Sequence, residues 1–423
     1  MKDKILFLIR KIYRLTDKIA FYPTLLAVLG LIFTYAMIYL EEKGISKYLL
    51  ETFPALVINN TETARSLLTT FIAGLISIMV FSFSMVMILL NQASSNFSPR
   101  LLPGLISNKR HQIILGFYIA SILYCTFILV YIEPDGDKYQ LPGFAVLFAI
   151  LFMVNCLAAF IYFIHSISQE IQINNILDKI FNVSKHRMLY LIENEKYKEG
   201  DFASSNSWQV YKSKKSGYLQ NVSVENIAKI AKAQNVRIDV MVIKGLFVSE
   251  ENIIFKSEKQ LDDDVIDRIT EHFDFSKSEV VEDNYVLAFK QITEVAVKAM
   301  SPGINDPGTA LNAIDYLSQL FSLRIHKNDK SLSYISEVAY VSMATVNFKT
   351  LIFQVMAELR TYCKHDVVVV EKLLMMLLHL KNIIKEENKK YQEVLDEEIA
   401  NLILDAEASI SNKRDLNFIK SIV

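Results

Sequence analysis

Residues 66–100, SLLTTFIAGLISIMVFSFSMVMILLNQASSNFSPR, decide the fold of this chain. The stretch has no charged residue before Arg100, and residues 67–90 are almost wholly apolar. A helix needs about 20 apolar residues to cross a bilayer. The stretch therefore predicts a transmembrane helix over 66–90, with a polar continuation that projects beyond the lipid.

Small and polar residues follow one face of this predicted helix. One set recurs every seven residues, and a second set lies between its members: Thr70, Ser77, Ser84, Asn91 and Ser98, then Gly74, Phe81, Ile88 and Ser95. Seven-residue spacing keeps side chains on one slowly drifting stripe. Two explanations stay open. The stripe packs against other helices of the same subunit, which small and hydroxyl residues allow, or it lines a water-filled pathway.

The overall composition indicates a hybrid of membrane and water-soluble parts. The 423 residues are 52% hydrophobic and 22% charged, with a mean hydropathy of +0.26. A formal net charge of −1 gives no reason to expect a nucleic-acid partner. The sequence has three well-separated cysteines, no metal-spaced His or Cys cluster, no Walker motif and no nucleophile elbow. We therefore expect no metal, no cofactor and no enzymatic activity.

Four apolar segments are long enough to cross a bilayer: residues 21–40, 66–90, 112–132 and 142–165. In front of them, residues 1–20 alternate basic and apolar residues and predict a helix on the membrane surface.

The basic residues between these segments predict the orientation. Nine lie on one side and four on the other: Lys2, Lys4, Arg10, Lys11, Arg14, Lys18, Arg100, Lys109 and Arg110 against Lys43, Lys47, Arg65 and Lys138. The side richer in Lys and Arg is normally cytoplasmic. We expect a multi-pass protein of the bacterial inner membrane, with the lipid bilayer as its partner and both termini in the cytoplasm.

The chain after the fourth crossing predicts a large cytoplasmic part. Helical periodicity favours a connecting helix over 166–205, and short β-rich runs bounded by Gly or polar turns favour a small α+β domain over 206–290. Residues 291–423 predict a helical domain, with two or three long helices over 332–406. The predicted fold class is an α-helical integral membrane protein with four transmembrane helices, a cytoplasmic α+β domain and a C-terminal helical domain.

The densest motif of the cytoplasmic part is SPGINDPGTA at 301–310. Its candidate residues are Ser301, Pro302, Gly303, Asn305, Asp306 and Pro307. Asp306 followed by Pro307 predicts the N-cap and first turn of a helix. The alternative is an ion, ligand or subunit contact through Asn305, Asp306 and exposed backbone groups.

The predicted inner hairpin begins with Ser98, Pro99 and Arg100. Arg100 can extend to the interface and bind lipid phosphate, or act as a gate or counter-ion for a partner subunit. His111 and His165 stand apart from other candidate metal ligands in the sequence, and we expect both to lie at the membrane–water interface.

Four segments together resemble a known family: FSPRLLPG, LGFYIASILYC, GYLQNV and AMSPGINDPGTALNAID. They are similar, in order, to the bacterial predicted-membrane-protein family catalogued as domain of unknown function 2254. The resemblance covers nearly the whole chain and implies a multi-pass inner-membrane protein with a cytoplasmic C-terminal region.

Two functions fit these observations. The first is a homo-oligomeric channel or conduit for an ion or small molecule, lined by the second transmembrane helix and gated by the cytoplasmic part. Repetition around a symmetry axis would form rings of Thr70, Ser77 and Ser84, with Phe81 as a dewetting constriction. The alternative is a membrane-anchored scaffold or sensor whose cytoplasmic part binds a partner or small ligand.

Overall fold

The computed structural model describes residues 20–52, 57–58, 60–96, 109–132, 142–170, 172–194, 202–276, 284–384 and 389–423. The chain divides into two compact units. We call Met1–Ser95 with Leu101–Gln172 the N-terminal unit, and Asn96–Arg100 with Ile173–Val423 the C-terminal unit. The predicted surface helix over 1–20 lies outside the described residues, apart from its last position.

The N-terminal unit contains five described helices: α1 Phe21–Glu42, α2 Ile45–Thr52, α3 Thr61–Asn96, α4 Lys109–Tyr131 and α5 Gly143–Glu170. All except α2 are long and apolar enough to cross a bilayer, as the sequence predicts. Helices α3 and α5 extend beyond the predicted bounds of 66–90 and 142–165. The additional residues are mostly polar, so the length of the hydrophobic run alone did not predict where these helices end.

Helices α1 and α4 approach each other closely because glycine lies at two of their contact points. A Cβ atom on Gly30 would come within 2.8 Å of Ala120 Cβ, and one on Gly116 within 2.7 Å of Leu26 Cδ1. Small residues of this kind permit close packing of apolar helices.

A buried carboxylate from α1 holds the start of α5. Glu41 Oε1 accepts a hydrogen bond from the Ala145 N–H at 2.8 Å, and its Oε2 accepts one from the Ser46 hydroxyl at 2.6 Å. Ser46 Oγ in turn accepts from the Phe144 N–H at 2.9 Å. Two unpaired amides at the first turn of α5 are thereby satisfied, and a carboxylate is favourable at this positive end of a helix.

The C-terminal unit contains nine described helices and eight strands. The helices are α6 Ile173–Asn194, α7 Val224–Ala233, α8 Asp263–Thr270, α9 Tyr285–Ala299, α10 Pro307–Arg324, α11 Phe348–Cys363, α12 Val367–Ile383, α13 Lys390–Ser409 and α14 Lys413–Lys420. The strands are β1 Gln209–Lys212, β2 Gly217–Val222, β3 Ile238–Val240, β4 Phe247–Val248, β5 Ile253–Ser257, β6 Phe273–Ser276, β7 Lys330–Ile335 and β8 Val338–Ala344.

The strands form a five-stranded sheet in the order β1-β5-β3-β8-β7 and a three-stranded sheet in the order β4-β2-β6. All neighbours are antiparallel except β3 and β8, which run parallel with Ile238 opposite Val341. The predicted domain boundary at residue 290 is therefore wrong. Strands β7 and β8 belong to the sheet, and the prediction that helices begin near 332 is corrected to a β-hairpin.

The predicted connecting helix over 166–205 is also corrected. Helix α5 continues to Glu170, and α6 begins at Ile173 within the C-terminal unit. Helix α6 packs against α9 and α10. Its Phe181 is buried, with its ring centroid 5.3 Å from that of Tyr316. The helix is thus part of the core of the C-terminal unit.

Candidate functional site

The inward face of α3 is identified by its buried residues. Leu68, Leu75 and Ser82 recur every seven residues and are each 0% exposed. Successive residues of an α-helix are separated by about 100° around the axis, so Ser77, two positions after Leu75, lies about 200° away from it. The polar stripe therefore lies on the side of α3 opposite the core of the N-terminal unit.

The stripe residues are exposed in the single chain. Thr70, Ser77, Ser84 and Asn91 all lie on this outward surface. The inward positions of α3 are occupied by the leucines and by Ser82.

Gly74 and Phe81 lie on the flank of the stripe, next to α5. A Cβ atom on Gly74 would lie 3.6 Å from Met153 Cε, and the Phe81 ring meets the edge of Phe160 with centroids 5.8 Å apart. Phe81 nevertheless stays 49% exposed. These two residues join α3 to α5, while the hydroxyl residues face away.

We use the name outward polar track for Glu62, Ser66, Thr70, Ser77, Ser84 and Asn91, all of which are exposed. Two hydroxyls of the track donate to their own helix: Thr70 Oγ1 to the Ser66 carbonyl at 2.8 Å, and Ser77 Oγ to the Ala73 carbonyl at 2.9 Å. A hydroxyl that donates inward presents its lone pairs outward. These positions of the track therefore offer acceptors to the surroundings.

The SPGINDP motif forms the turn between α9 and α10. Asp306 is the N-cap of α10, as the sequence predicts: its Oδ1 accepts from the Thr309 N–H at 3.1 Å and its Oδ2 from the Thr309 hydroxyl at 2.6 Å. Asn305 adopts a left-handed φ of 49°, and the Asp306 N–H donates to the Ala299 carbonyl at 2.8 Å. The bonds from Thr309 hold the pKa of the Asp306 carboxyl below its usual value.

Most of the motif is open to solvent. Pro302, Gly303, Asn305 and Asp306 are exposed, whereas Ser301 and Pro307 are half-buried, and a Cβ atom on Gly303 would meet nothing within 4 Å. The turn is held by its own hydrogen bonds and leaves an accessible surface.

The residues near the predicted inner boundary differ in their placement. Ser98, Pro99 and Arg100 lie outside the described residues. His111 is buried with its ring 5.2 Å from that of Phe163, whereas His165 is exposed. Helix α4 turns His111 towards α5, and the interfacial position of both histidines stays a prediction.

Within the described ranges, no group of three or more His, Cys, Asp or Glu residues could hold a metal ion. Cys125, Cys156 and Cys363 are all buried. Burial raises the pKa of the Cys363 thiol to about 12, so this thiol stays protonated near neutral pH.

Comparison with known proteins places these features in a family. A family described as "Predicted membrane protein (DUF2254)" matches residues 16–379. The chain belongs to this family. The match includes all four apolar helices and the SPGINDP turn of this DUF2254 member.

Two curated relatives of this DUF2254 protein come from mycobacteria. The chain is 26% identical over 337 residues to "Uncharacterized protein Mb1321c" of Mycobacterium bovis and to "Uncharacterized protein Rv1290c" of Mycobacterium tuberculosis. Each alignment covers 74% of this chain and 63% of the relative. No solved structure matches the chain.

Two adjoining cavities in the C-terminal unit of this DUF2254 protein involve residues that the sequence did not single out. One has a volume of about 220 Å³ and the other about 430 Å³, and both are lined by Lys244, Asn284 and Val286. Arg187 and Lys327 line the smaller cavity. These residues come from distant segments with no shared motif, so no local pattern could have indicated them.

Proposed function

We propose that this protein assembles as a homo-oligomer in the bacterial inner membrane, with α3 helices from several subunits lining a pathway for a small cation. Both termini lie in the cytoplasm in this proposal, following the asymmetry of the basic residues.

The observation that carries the proposal is the outward polar track. One helix face cannot enclose a pathway, but rotational symmetry repeats the same face around an axis. Thr70, Ser77 and Ser84 would then form successive rings separated by seven residues, or about 10 Å along the helix.

The chemistry of the track favours a cation as the permeant species. The Thr70 and Ser77 hydroxyls donate to the helix backbone, so their outward lone pairs can accept from water or coordinate a cation. Glu62 adds a carboxylate to the exposed N-terminal end of the track. Arg65 is exposed nearby, so the helix end itself is of mixed charge.

The test is a pair of opposite charges at one position of the track. Ser77→Glu should raise cation conductance in reconstituted bilayers and Ser77→Lys should lower it, because each new charge would face water. Both variants should keep the oligomer size of the wild type, measured by light scattering in detergent.

The matched control is Val154→Glu. Val154 lies near the middle of α5, is 58% exposed and lies outside the track, so the proposal places it against lipid, where a charge costs several kcal/mol. The pathway would be rejected if Ser77→Glu misassembled to the same degree as Val154→Glu. It would also be rejected if the wild-type protein showed no conductance under varied voltage and tension.

A membrane-anchored scaffold or sensor is the second candidate. One observation favours it: the Thr70 and Ser77 hydroxyls already have hydrogen bonds within α3, so they tolerate a lipid or helix contact without water. Absence of conductance together with stable oligomers would support this role.

A further inference from the structure

The smaller cavity of the C-terminal unit has an unusual charge. Among the residues that line its volume of about 220 Å³ are Arg187, Lys244 and Lys327, and none of the lining residues that the structure describes is Asp or Glu. A concentration of positive charge inside a concave site attracts anions.

Lys327 is the most buried of these three cations, at 2% exposed. Its ammonium group donates to the Asn328 carbonyl at 3.1 Å and lies 5.8 Å from the centre of the Tyr285 ring. Lys327 therefore adds a positive charge to the lining of the cavity, where it can attract an anion.

The guanidinium of Arg187 provides a second observation that points to a ligand. Its Nε is buried and has no hydrogen-bond partner in the described part of the chain. Its guanidinium carbon lies 5.3 Å from the Tyr190 ring, which supports one face of the group. A buried N–H donor without a partner costs free energy, and a bound oxyanion is a suitable acceptor.

The backbone around the cavity is also favourable to negative charge. Val224 and Tyr285, the first residues of α7 and α9, both line it. The N-terminal end of a helix carries a partial positive charge, and two such ends meet here.

Arg324 holds the loop that carries Lys327 in place. The Arg324 guanidinium is fully buried and donates to the Lys327 carbonyl at 2.7 Å and to the Val346 carbonyl at 2.8 Å. Val346 itself lines the cavity. A buried arginine thus fixes two walls of the site before any ligand binds, which lowers the ordering cost of binding.

We propose that this cavity binds the phosphate group of a small phosphorylated molecule. The volume is below the range of about 300–1,000 Å³ usual for drug-sized ligands, so it suits a single charged group. The adjoining cavity of about 430 Å³ shares Lys244 with it and has Leu351 and Phe353 in its lining, so it can hold the remainder of such a ligand. This proposal is independent of the pathway along α3.

The test is calorimetric titration of the full-length protein in detergent with sodium pyrophosphate, orthophosphate and glycerol 3-phosphate at constant ionic strength. The wild type should bind at least one of them saturably, with one site per chain. Arg187→Gln and Lys244→Gln should each weaken binding about tenfold or more, since each removes a charge-assisted contact.

Lys229→Gln is the matched control, because Lys229 is exposed on α7 and does not line the cavity. The affinity of Lys229→Gln for each anion should stay within about twofold of the affinity of the wild type. No saturable binding of any of the three anions, or an equal loss for Lys229→Gln and Arg187→Gln, would overturn the proposal. The fluorescence of Trp208 checks that each variant is folded.

The source of the phosphate is distinguished by the surrounding lipid. Pyrophosphate should bind equally in nanodiscs of phosphatidylglycerol and of phosphatidylcholine if the natural ligand is a soluble molecule. Weaker pyrophosphate binding in the phosphatidylglycerol nanodiscs alone would support the same site and identify a lipid headgroup as its occupant.

Discussion

Replacing Arg324 by methionine should strongly destabilise the C-terminal unit. The Arg324 side chain is 0% exposed and donates to the Asp329 carboxylate at 2.5 Å, as well as to two backbone carbonyls. Asp329 Oδ1 also accepts from the Phe348 N–H at 3.0 Å, at the start of α11. The arginine therefore ties the end of α10 to β7 and to the entrance of α11.

The expected magnitude follows from what the substitution leaves behind. Methionine fills part of the volume but leaves the Asp329 carboxylate and two carbonyls without this donor. Removal of one member of a buried ion pair costs about 3–5 kcal/mol. At roughly 2–4 °C per kcal/mol for a unit of about this size, the unfolding midpoint should fall by at least about 6 °C.

Tryptophan fluorescence is the suitable assay because the chain has a single tryptophan, Trp208, and it lies in the C-terminal unit. The control is Arg268→Met, which removes an exposed ion pair with Asp264 one helical turn away. Such a pair contributes only about 0.3–0.5 kcal/mol. Equal midpoints for the Arg324 and Arg268 variants would refute the assignment of a structural role to the buried guanidinium.

Two further predictions concern the SPGINDP turn and the orientation of the chain. Asp306→Ala should cost about 1 kcal/mol through loss of the α10 N-cap. Because the folded pKa of Asp306 is lowered, ionised Asp306 stabilises the fold above its ordinary pKa of 3.8, and this contribution is lost as the pH falls through the folded value. Thermal melts at a series of pH values should show that the stability lost in Asp306→Ala becomes smaller only at acid pH. A loss of stability that does not depend on pH would contradict the capping role. Cysteine introduced at position 135 should react with an impermeant maleimide in intact cells, and cysteine at position 201 should not. Labelling at 201 would reverse the proposed orientation.

The four apolar helices could be predicted from the sequence because the signal for a bilayer crossing is local. Length and hydropathy within each segment are sufficient, and they predicted the ends of α1 and α4 to within three residues. The N-cap at Asp306 was predictable for a similar reason, since the cap and its partner Thr309 are three residues apart. Local chemistry determines both features.

The β-hairpin of β7 and β8 was missed because its stability comes from distant residues. Strand β8 pairs with β3, about a hundred residues earlier, and this non-local pairing selects a strand where the segment was expected to be helical. Strand formation depends on packing and burial more than on intrinsic propensity.

The sequence by itself determined that α3 has a polar stripe with a seven-residue repeat, but only the tertiary structure decided which way that stripe faces. The repeat at Thr70, Ser77 and Ser84 is visible in the sequence, whereas the inward positions Leu68 and Leu75 are set by packing within the N-terminal unit. The same limit holds for Arg187, Lys244 and Lys327, which meet only when helices and loops from three parts of the chain pack together. The repeat of the stripe depends only on residues that are near each other along the chain. The direction in which the stripe faces, and the meeting of the three cationic residues at one cavity, depend on contacts between distant parts of the chain.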